Sequence, residues 1–149
     1  MLQALQRRGW KLATAESCTG GLLGASLTAV PGSSASYCGG VISYCNDLKH
    51  RLLGVPLPML AQYGAVSSQV AEAMAQGARR LTGAQVGIGI TGLAGPDSDG
   101  SGLPIGLVFV GYADEAQCLH LRLQYDADRQ TVRENAVQAA LCLLLQKLS

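Results

Sequence analysis

Residues 84–91, AQVGIGIT, limit the possible folds of this chain most strongly. Apolar residues and glycine fill every position but two, so the stretch predicts a strand buried on both faces, which needs helices on each side of its sheet. Helical and strand patterns alternate in the first half of the chain, and IGLVFVGYA and QCLHLRLQY later flank the turn DEA. We therefore expect an α/β fold, a three-layer α/β/α sandwich with a mixed sheet that ends in an antiparallel hairpin.

Length and composition fit that expectation and exclude several classes of protein. A chain of 149 residues predicts a single domain over residues 1–149. Its net charge is +1 and it has no long run of either charge, which argues against a nucleic-acid partner. No apolar run is long enough to span a membrane, and no apolar segment follows Arg7 and Arg8 as in a secretory leader. We expect a cytoplasmic protein without a membrane partner.

Cysteine and histidine show no metal-binding pattern. The five cysteines form no C-x-x-C pair, and the two histidines lie far apart in the sequence. We therefore expect reduced, mostly buried thiols and no metal site.

Residues 87–92, GIGITG, formally match the dinucleotide-binding pattern G-x-G-x-x-G. That motif requires a helix to begin directly after the glycines, so that the first helical turn binds pyrophosphate. Here the loop GLAGPDSDGSGLP follows instead. We interpret the glycines as small residues of a buried strand, with Thr91 pointing into a cleft at the end of that strand.

The stretch TAESCTGG, residues 14–21, combines the end of a predicted strand with the start of a helix. Ser17 at such a turn fits two hypotheses. It is a nucleophile whose oxyanion is held by nearby backbone N–H groups, or it is a capping residue, a role that Thr19 would also fill. A serine nucleophile also needs a base.

Lys49 is a candidate for that base. With Asn46 as N-cap, Lys49 lies in the first helical turn, where the helix dipole disfavours the charged amine and burial would lower its pKa further. A neutral lysine can take a proton from serine, as in Ser-Lys variants of the catalytic triad. The alternative is a surface lysine in the cluster Lys49-His50-Arg51.

Arg129 follows Asp128 at the predicted start of the last helix. An arginine beside free helix N–H groups predicts a phosphate or carboxylate site. The alternative is a surface ion pair with Asp126 or Asp128.

Several motifs in order resemble the C-terminal domain family of CinA (competence/damage-inducible) proteins. They are TAESCTGG (14–21), VPGSSASY (30–37), GGVISYCNDLK (39–49), LLGV (52–55), GAVSSQVAEAMAQGAR (64–79), TGLAGPD (91–97), PIG (104–106) and DRQTVR (128–133). The resemblance covers roughly residues 10–145. Characterised members are nicotinamide-nucleotide amidases, which hydrolyse the carboxamide of nicotinamide mononucleotide (NMN) and release ammonia, without a metal or cofactor.

The resemblance implies a role for each matching residue. Ser17 would be the nucleophile and Lys49 the general base, with Tyr44 and Ser34 assisting this dyad by hydrogen bonds. The groups expected to contact substrate are Thr91, Thr19 and Gly20, together with Arg129 on the phosphate. The family also leads us to expect a homo-oligomer, a dimer or larger, and a stand-alone form without the additional N-terminal domain of many relatives.

Three positions depart from the family pattern: Cys45, Leu103 and Ala127 stand where serine, lysine and glycine are usual. Leu103 lies in a loop that we expect to contact the substrate. Ala127 lies just before the helix start at Arg129, so the change from glycine bears on where that helix begins. The alternative to an amidase is therefore a non-catalytic nucleotide-binding or regulatory domain of the same family.

Overall fold

In a computed structural model that describes residues 1–149, one five-stranded sheet lies between two layers of helices. Its strands are β1 (Leu12–Glu16), β2 (Tyr37–Ile42), β3 (Val86–Gly92), β4 (Leu107–Ala113) and β5 (Cys118–Gln124). The spatial order is β2-β1-β3-β4-β5; β1 pairs in parallel with β2 and β3, and the β3–β4 and β4–β5 pairs are antiparallel. The predicted three-layer sandwich, its mixed sheet and its final hairpin are confirmed.

Six helices cover the two faces of the sheet. They are α1 (Leu2–Arg7), α2 (Leu22–Thr28), α3 (Asn46–Leu53), α4 (Leu57–Tyr63), α5 (Ser68–Thr82) and α6 (Arg129–Lys147), with a short 3-10 turn at Ser33–Ala35. The apolar sides of α1, α2 and α6 share one buried core, and those of α3, α4 and α5 share the core on the opposite face. None of the helices is long and apolar enough to cross a membrane.

Glycines in the central strands let α5 pack directly on the sheet. A side chain at Gly89 or Gly111 would collide with the main chain of α5 at Ala71. The G-x-G-x-x-G match therefore serves close packing between helix and sheet, as its sequence context predicts.

The start of α2 differs from the sequence expectation. Neither Ser17 nor Thr19 caps this helix, because its N-cap is Gly21. The carboxylate of Glu16 instead accepts hydrogen bonds from the backbone N–H groups of Gly21 (3.1 Å), Leu23 (3.0 Å) and Gly24 (2.9 Å). A buried carboxylate thus satisfies the free donors of the first turn from outside the helix.

Other helix ends follow the sequence more closely. Ser67, one of two candidates with Ser68, caps α5 by accepting a bond from Val70 N–H, and Asp128, one of two candidates with Asp126, caps α6 by accepting a bond from Thr131 N–H. The N-cap of α3 is Cys45 rather than Asn46, so Lys49 occupies the fourth helical position and not the third. Leu81, in the last turn of α5, is 54% exposed.

Candidate active site

A cleft of about 270 Å³ opens where the parallel strands end. Ser17 follows β1, Tyr44 follows β2 and Thr91 lies at the end of β3, so three neighbouring strands direct polar groups to one edge of the sheet. Lys49 reaches the same cleft from α3, and Arg129 reaches it from the first turn of α6. In open α/β sheets this carboxyl edge is the usual place for ligands.

Ser17 and Lys49 are in direct contact. The distance between Lys49 Nζ and Ser17 Oγ is 3.0 Å, although the two residues are 32 positions apart in the sequence. Lys49 Nζ also donates to the backbone carbonyls of Ser43, at 2.7 Å, and of Tyr44, at 3.4 Å. In the neutral amine these two carbonyls take up the two N–H groups, which leaves the nitrogen lone pair for the Ser17 hydroxyl proton.

Lys49 is held where its charged form is unfavourable. It is 1% exposed, and no carboxylate forms an ion pair with it. Burial away from water therefore lowers the pKa of Lys49 below that of a free lysine. A nearby serine hydroxyl and an amine that is readily neutral are the two parts of a Ser-Lys nucleophile.

The neighbouring thiol is unsuited to the same role. Burial raises the pKa of Cys18 to about 11, so at neutral pH the residue remains a thiol rather than a nucleophilic thiolate. Of the serine and the cysteine in this turn, the surroundings therefore favour Ser17 as the nucleophile.

Two backbone N–H groups of the turn after β1 are free to bind an anion. The N–H of Ser17 donates to Ile90 O at 2.9 Å, and that of Gly20 donates to Ser17 O at 3.0 Å. The amides of Cys18 and Thr19 have no acceptor within the chain. The backbone N–H of Gly20 is therefore already used, and those of Cys18 and Thr19 are left for an anion.

Thr19 and Gly20, the residues of this turn that were predicted to contact substrate, do not line the cleft. Thr19 is fully buried, does not line the cleft, and its hydroxyl has no hydrogen-bond partner. Gly20 has a φ of +60°, which suits glycine, and it also lies outside the cleft lining. Because Gly20 N–H already donates to Ser17 O, the backbone N–H of Thr19 is the donor of these two residues that stays free.

Tyr44 and Arg129 meet across the mouth of the cleft. Arg129 Nη2 donates to the Tyr44 hydroxyl at 3.2 Å, and Arg129 Nη1 donates to Gly95 O at 2.6 Å. Arg129 forms no ion pair with Asp126 or Asp128, which contradicts the surface-pair alternative. The Tyr44 hydroxyl thus pairs with Arg129 and not with the dyad, which Tyr44 contacts through its carbonyl alone.

The structure places Thr91 at the cleft and Ser34 far from it. Thr91 is buried at the cleft, where its hydroxyl donates to Ala65 O at 2.7 Å. Ser34 is exposed in the turn before β2, and Lys11 Nζ donates to its carbonyl. Since β1 and β2 are parallel and β1 spans five residues, or roughly 16 Å, Ser34 and Ser17 lie at opposite ends of the sheet. The prediction that Ser34 assists the dyad is wrong within this chain.

Comparison with known proteins agrees with the fold. A family model described as the CinA C-terminal domain matches residues 1–148. The chain belongs to the CinA family. A CinA-like protein of Synechococcus sp. is 54% identical over 135 residues, which make up 89% of this chain and 32% of that protein. A CinA-like protein of Gemmatimonas aurantiaca is 49% identical over 141 residues, 95% of this chain and 33% of that protein.

The chain thus spans about a third of the length of the curated CinA relatives that it matches. Solved structures of the family match over nearly their whole length. A CinA superfamily protein from Enterobacter cloacae has a TM-score of 0.95 at 36% identity, and the match covers 99% of this chain and 87% of that chain. One from Klebsiella pneumoniae has a TM-score of 0.94 at 38% identity, covering 98% and 91%.

Two departures from the CinA pattern are accommodated by the fold. Leu103 packs, partly buried, against the small apolar cluster that includes Leu93 and Phe109, so it ties the long loop to the core. Ala127 packs against the core shared by α1, α2 and α6, and α6 begins at Arg129 with Asp128 as its N-cap.

Sequence reasoning on this CinA chain missed three side chains. Asp97 and Asp99 line the cleft, and Arg133 binds the turn after Ser17. The spacing of Arg129 and Arg133 was an available signal, because residues four apart lie on one face of a helix. The two aspartates are exposed in an irregular loop, where no periodic pattern predicts which residues border the cleft.

Proposed function

We propose that this CinA-family chain is an amidohydrolase that converts NMN into nicotinic acid mononucleotide and ammonia. The observation that carries the proposal is the buried pair of Ser17 and Lys49, with 3.0 Å between Oγ and Nζ. A serine hydroxyl beside a lysine of lowered pKa supports acyl transfer. The two unused backbone N–H groups of the following turn support it further, since such donors stabilise tetrahedral oxyanions.

The chemistry divides into two steps. Ser17 Oγ attacks the carboxamide carbon while Lys49 Nζ takes the hydroxyl proton, and the N–H groups of Cys18 and Thr19 bind the oxyanion. Lys49 then returns the proton to the leaving nitrogen, so that ammonia departs and an acyl-enzyme ester remains. A water molecule attacks that ester while Lys49 Nζ takes its proton; Lys49 then returns the proton to Ser17 Oγ as the ester bond breaks, which releases nicotinic acid mononucleotide and restores free Ser17.

The charges at the cleft support a nucleotide substrate of this kind. Arg129 offers a cationic fork at a helix start, which suits a phosphate. Asp97 and Asp99 line the same cleft, and carboxylates suit the positively charged pyridinium ring. A cleft with both charges complements a ligand that is cationic at one end and anionic at the other.

Ammonia release from NMN tests this proposal directly. Purified protein should release ammonia from NMN in proportion to enzyme concentration, and mass spectrometry should identify nicotinic acid mononucleotide as the product. Calorimetric binding of NMN without any ammonia would instead support the non-catalytic nucleotide-binding domain.

Arg129→Met should weaken binding of the phosphate group of NMN. Loss of a charge-assisted hydrogen bond costs about 1.5–3 kcal/mol, so the KM for NMN should rise about tenfold to a hundredfold while kcat changes little. Steady-state assays with NMN and with its dephosphorylated counterpart, nicotinamide riboside, measure the effect. For the riboside, KM should be nearly the same in both proteins; an equal rise for both substrates would contradict a phosphate-binding role.

The pH profile should report the base. Only the neutral amine of Lys49 accepts a proton, so kcat/KM should rise with pH and level off once Lys49 is deprotonated. Because burial lowers the pKa of Lys49, the rise should end at a lower pH than the titration of a free lysine. Initial rates from about pH 6 to about pH 10 cover this range. A rate that falls with pH throughout would contradict a lysine base.

A further inference from the structure

Arg133 binds two consecutive carbonyl groups of the turn that follows Ser17. Its Nε donates to Cys18 O and its Nη2 to Thr19 O, each at 3.1 Å, although the sequence separations are 115 and 114 residues. Its Nη1 donates to Gln130 Oε1 at 2.9 Å. The half-buried guanidinium forms no ion pair with a carboxylate, so its charge acts mainly on these main-chain groups.

The direction of a carbonyl fixes the direction of the next amide. In a planar trans peptide the C=O and N–H bonds point to opposite sides, so the bond from Arg133 to Cys18 O turns Thr19 N–H away from Arg133. Thr19 N–H is one of the two amides without an acceptor. The other, Cys18 N–H, shares its peptide plane with Ser17 O, which Gly20 N–H holds at 3.0 Å.

Each unused amide therefore belongs to a peptide plane held by a bond on its opposite side. A cation on a carbonyl oxygen also polarises the peptide, which makes the attached N–H a stronger donor. Preorganised donors of this kind contribute most to acyl transfer, because they need no reorganisation as the oxyanion forms.

We propose that Arg133 is a positioning residue that orients the Cys18–Thr19 peptide so that Thr19 N–H binds the oxyanion formed at Ser17. The inference rests on the proposed function, since it needs an acyl-transfer reaction at Ser17. It assigns to Arg133 a role separate from that of Arg129, four residues earlier on the same helix. Arg133 does not line the cleft, so its effect on substrate affinity should be small.

Arg133→Met and Arg133→Lys test the role by the split between kcat and KM. Loss of one oxyanion donor typically lowers kcat about a hundredfold to a thousandfold, and we expect a fall in that range for Arg133→Met with KM within about threefold of wild type. Arg133→Lys should recover part of the rate, because an ammonium can still donate to these carbonyls.

Adding methylguanidine below denaturing concentrations should partly restore the kcat of Arg133→Met. Arg122→Met, which removes an exposed arginine without a bond in the chain, is the matched control.

Labelling of Ser17 by a fluorophosphonate separates this inference from the proposed function, because the phosphonyl oxygen occupies the oxyanion position without any NMN turnover. Wild type should label quickly and Arg133→Met should label at least about tenfold more slowly, at an unchanged melting temperature. Equal labelling of the two proteins, or an equal kcat, overturns the role of Arg133 and leaves the amidase proposal standing. Labelling of wild type without ammonia release would overturn the amidase proposal alone. Absence of both labelling and turnover in wild type overturns both.

Discussion

Ser17→Ala is expected to lower ammonia release from NMN by at least about a thousandfold, because removal of a serine nucleophile leaves only the effects of binding and oxyanion stabilisation. The change deletes one oxygen atom at a residue that is 8% exposed. It leaves Lys49 Nζ bonded to Ser43 O, so the lysine retains its strongest main-chain contact. Release of ammonia, followed with an enzyme-coupled assay, measures the loss.

The control for this variant is Ser26→Ala. Ser26 donates to Leu22 O within α2, so the Ser26→Ala variant lacks a comparable hydroxyl and hydrogen bond at a position away from the cleft. It should retain nearly full activity. Calorimetry should show that Ser17→Ala still binds NMN with nearly the wild-type affinity. Turnover by Ser17→Ala at the wild-type rate would remove the serine from the mechanism.

Lys49→Met should reduce kcat about a hundredfold to ten-thousandfold, the range attributed to general acid–base catalysis. Methionine has a similar length and no charge, so it removes the base while filling the same buried space. Burial of Lys49 opposes its charged form, and an apolar replacement avoids that cost. We therefore expect a melting temperature close to that of wild type, together with strongly reduced ammonia release.

Lys11→Met is the matched control for the base. Lys11 Nζ also donates to two backbone carbonyls, those of Ser34 and Ala35, but at the opposite end of the sheet. Its loss should leave kcat and KM nearly unchanged. If Lys49→Met kept the wild-type rate, a different group would have to accept the Ser17 proton.

The sequence predicted the layers of the fold and the central pair of the site for local reasons. The buried pattern of β3 predicts a sheet covered on both faces, and the two strand patterns around the turn DEA predict the hairpin of β4 and β5. The turn that contains Ser17 lies within the eight consecutive residues 14–21, so its candidate role could be predicted from that stretch alone. The first turn of α3 likewise contains Lys49, even though its N-cap is Cys45.

Contacts between distant segments could not be predicted in the same way. The partners of Arg133 depend on how α6 docks against the turn after β1. Tyr44 was expected at the dyad, yet its hydroxyl pairs with Arg129, 85 residues away. Ser34 shows the converse, since a motif that carries the resemblance lies at the far end of the sheet. The order of motifs along the chain indicates the family that it resembles. Which motif residues lie close together in space is known only from the tertiary structure.

The cleft combines groups from all three layers of the sandwich. Ser17 follows a strand of the sheet, Lys49 belongs to the layer of α3 to α5, and Arg129 belongs to the layer of α1, α2 and α6. A ligand that touches these residues connects the two helical layers across the edge of the sheet. Motions that separate the layers must first break those contacts, so an occupied cleft should resist such opening more than an empty one.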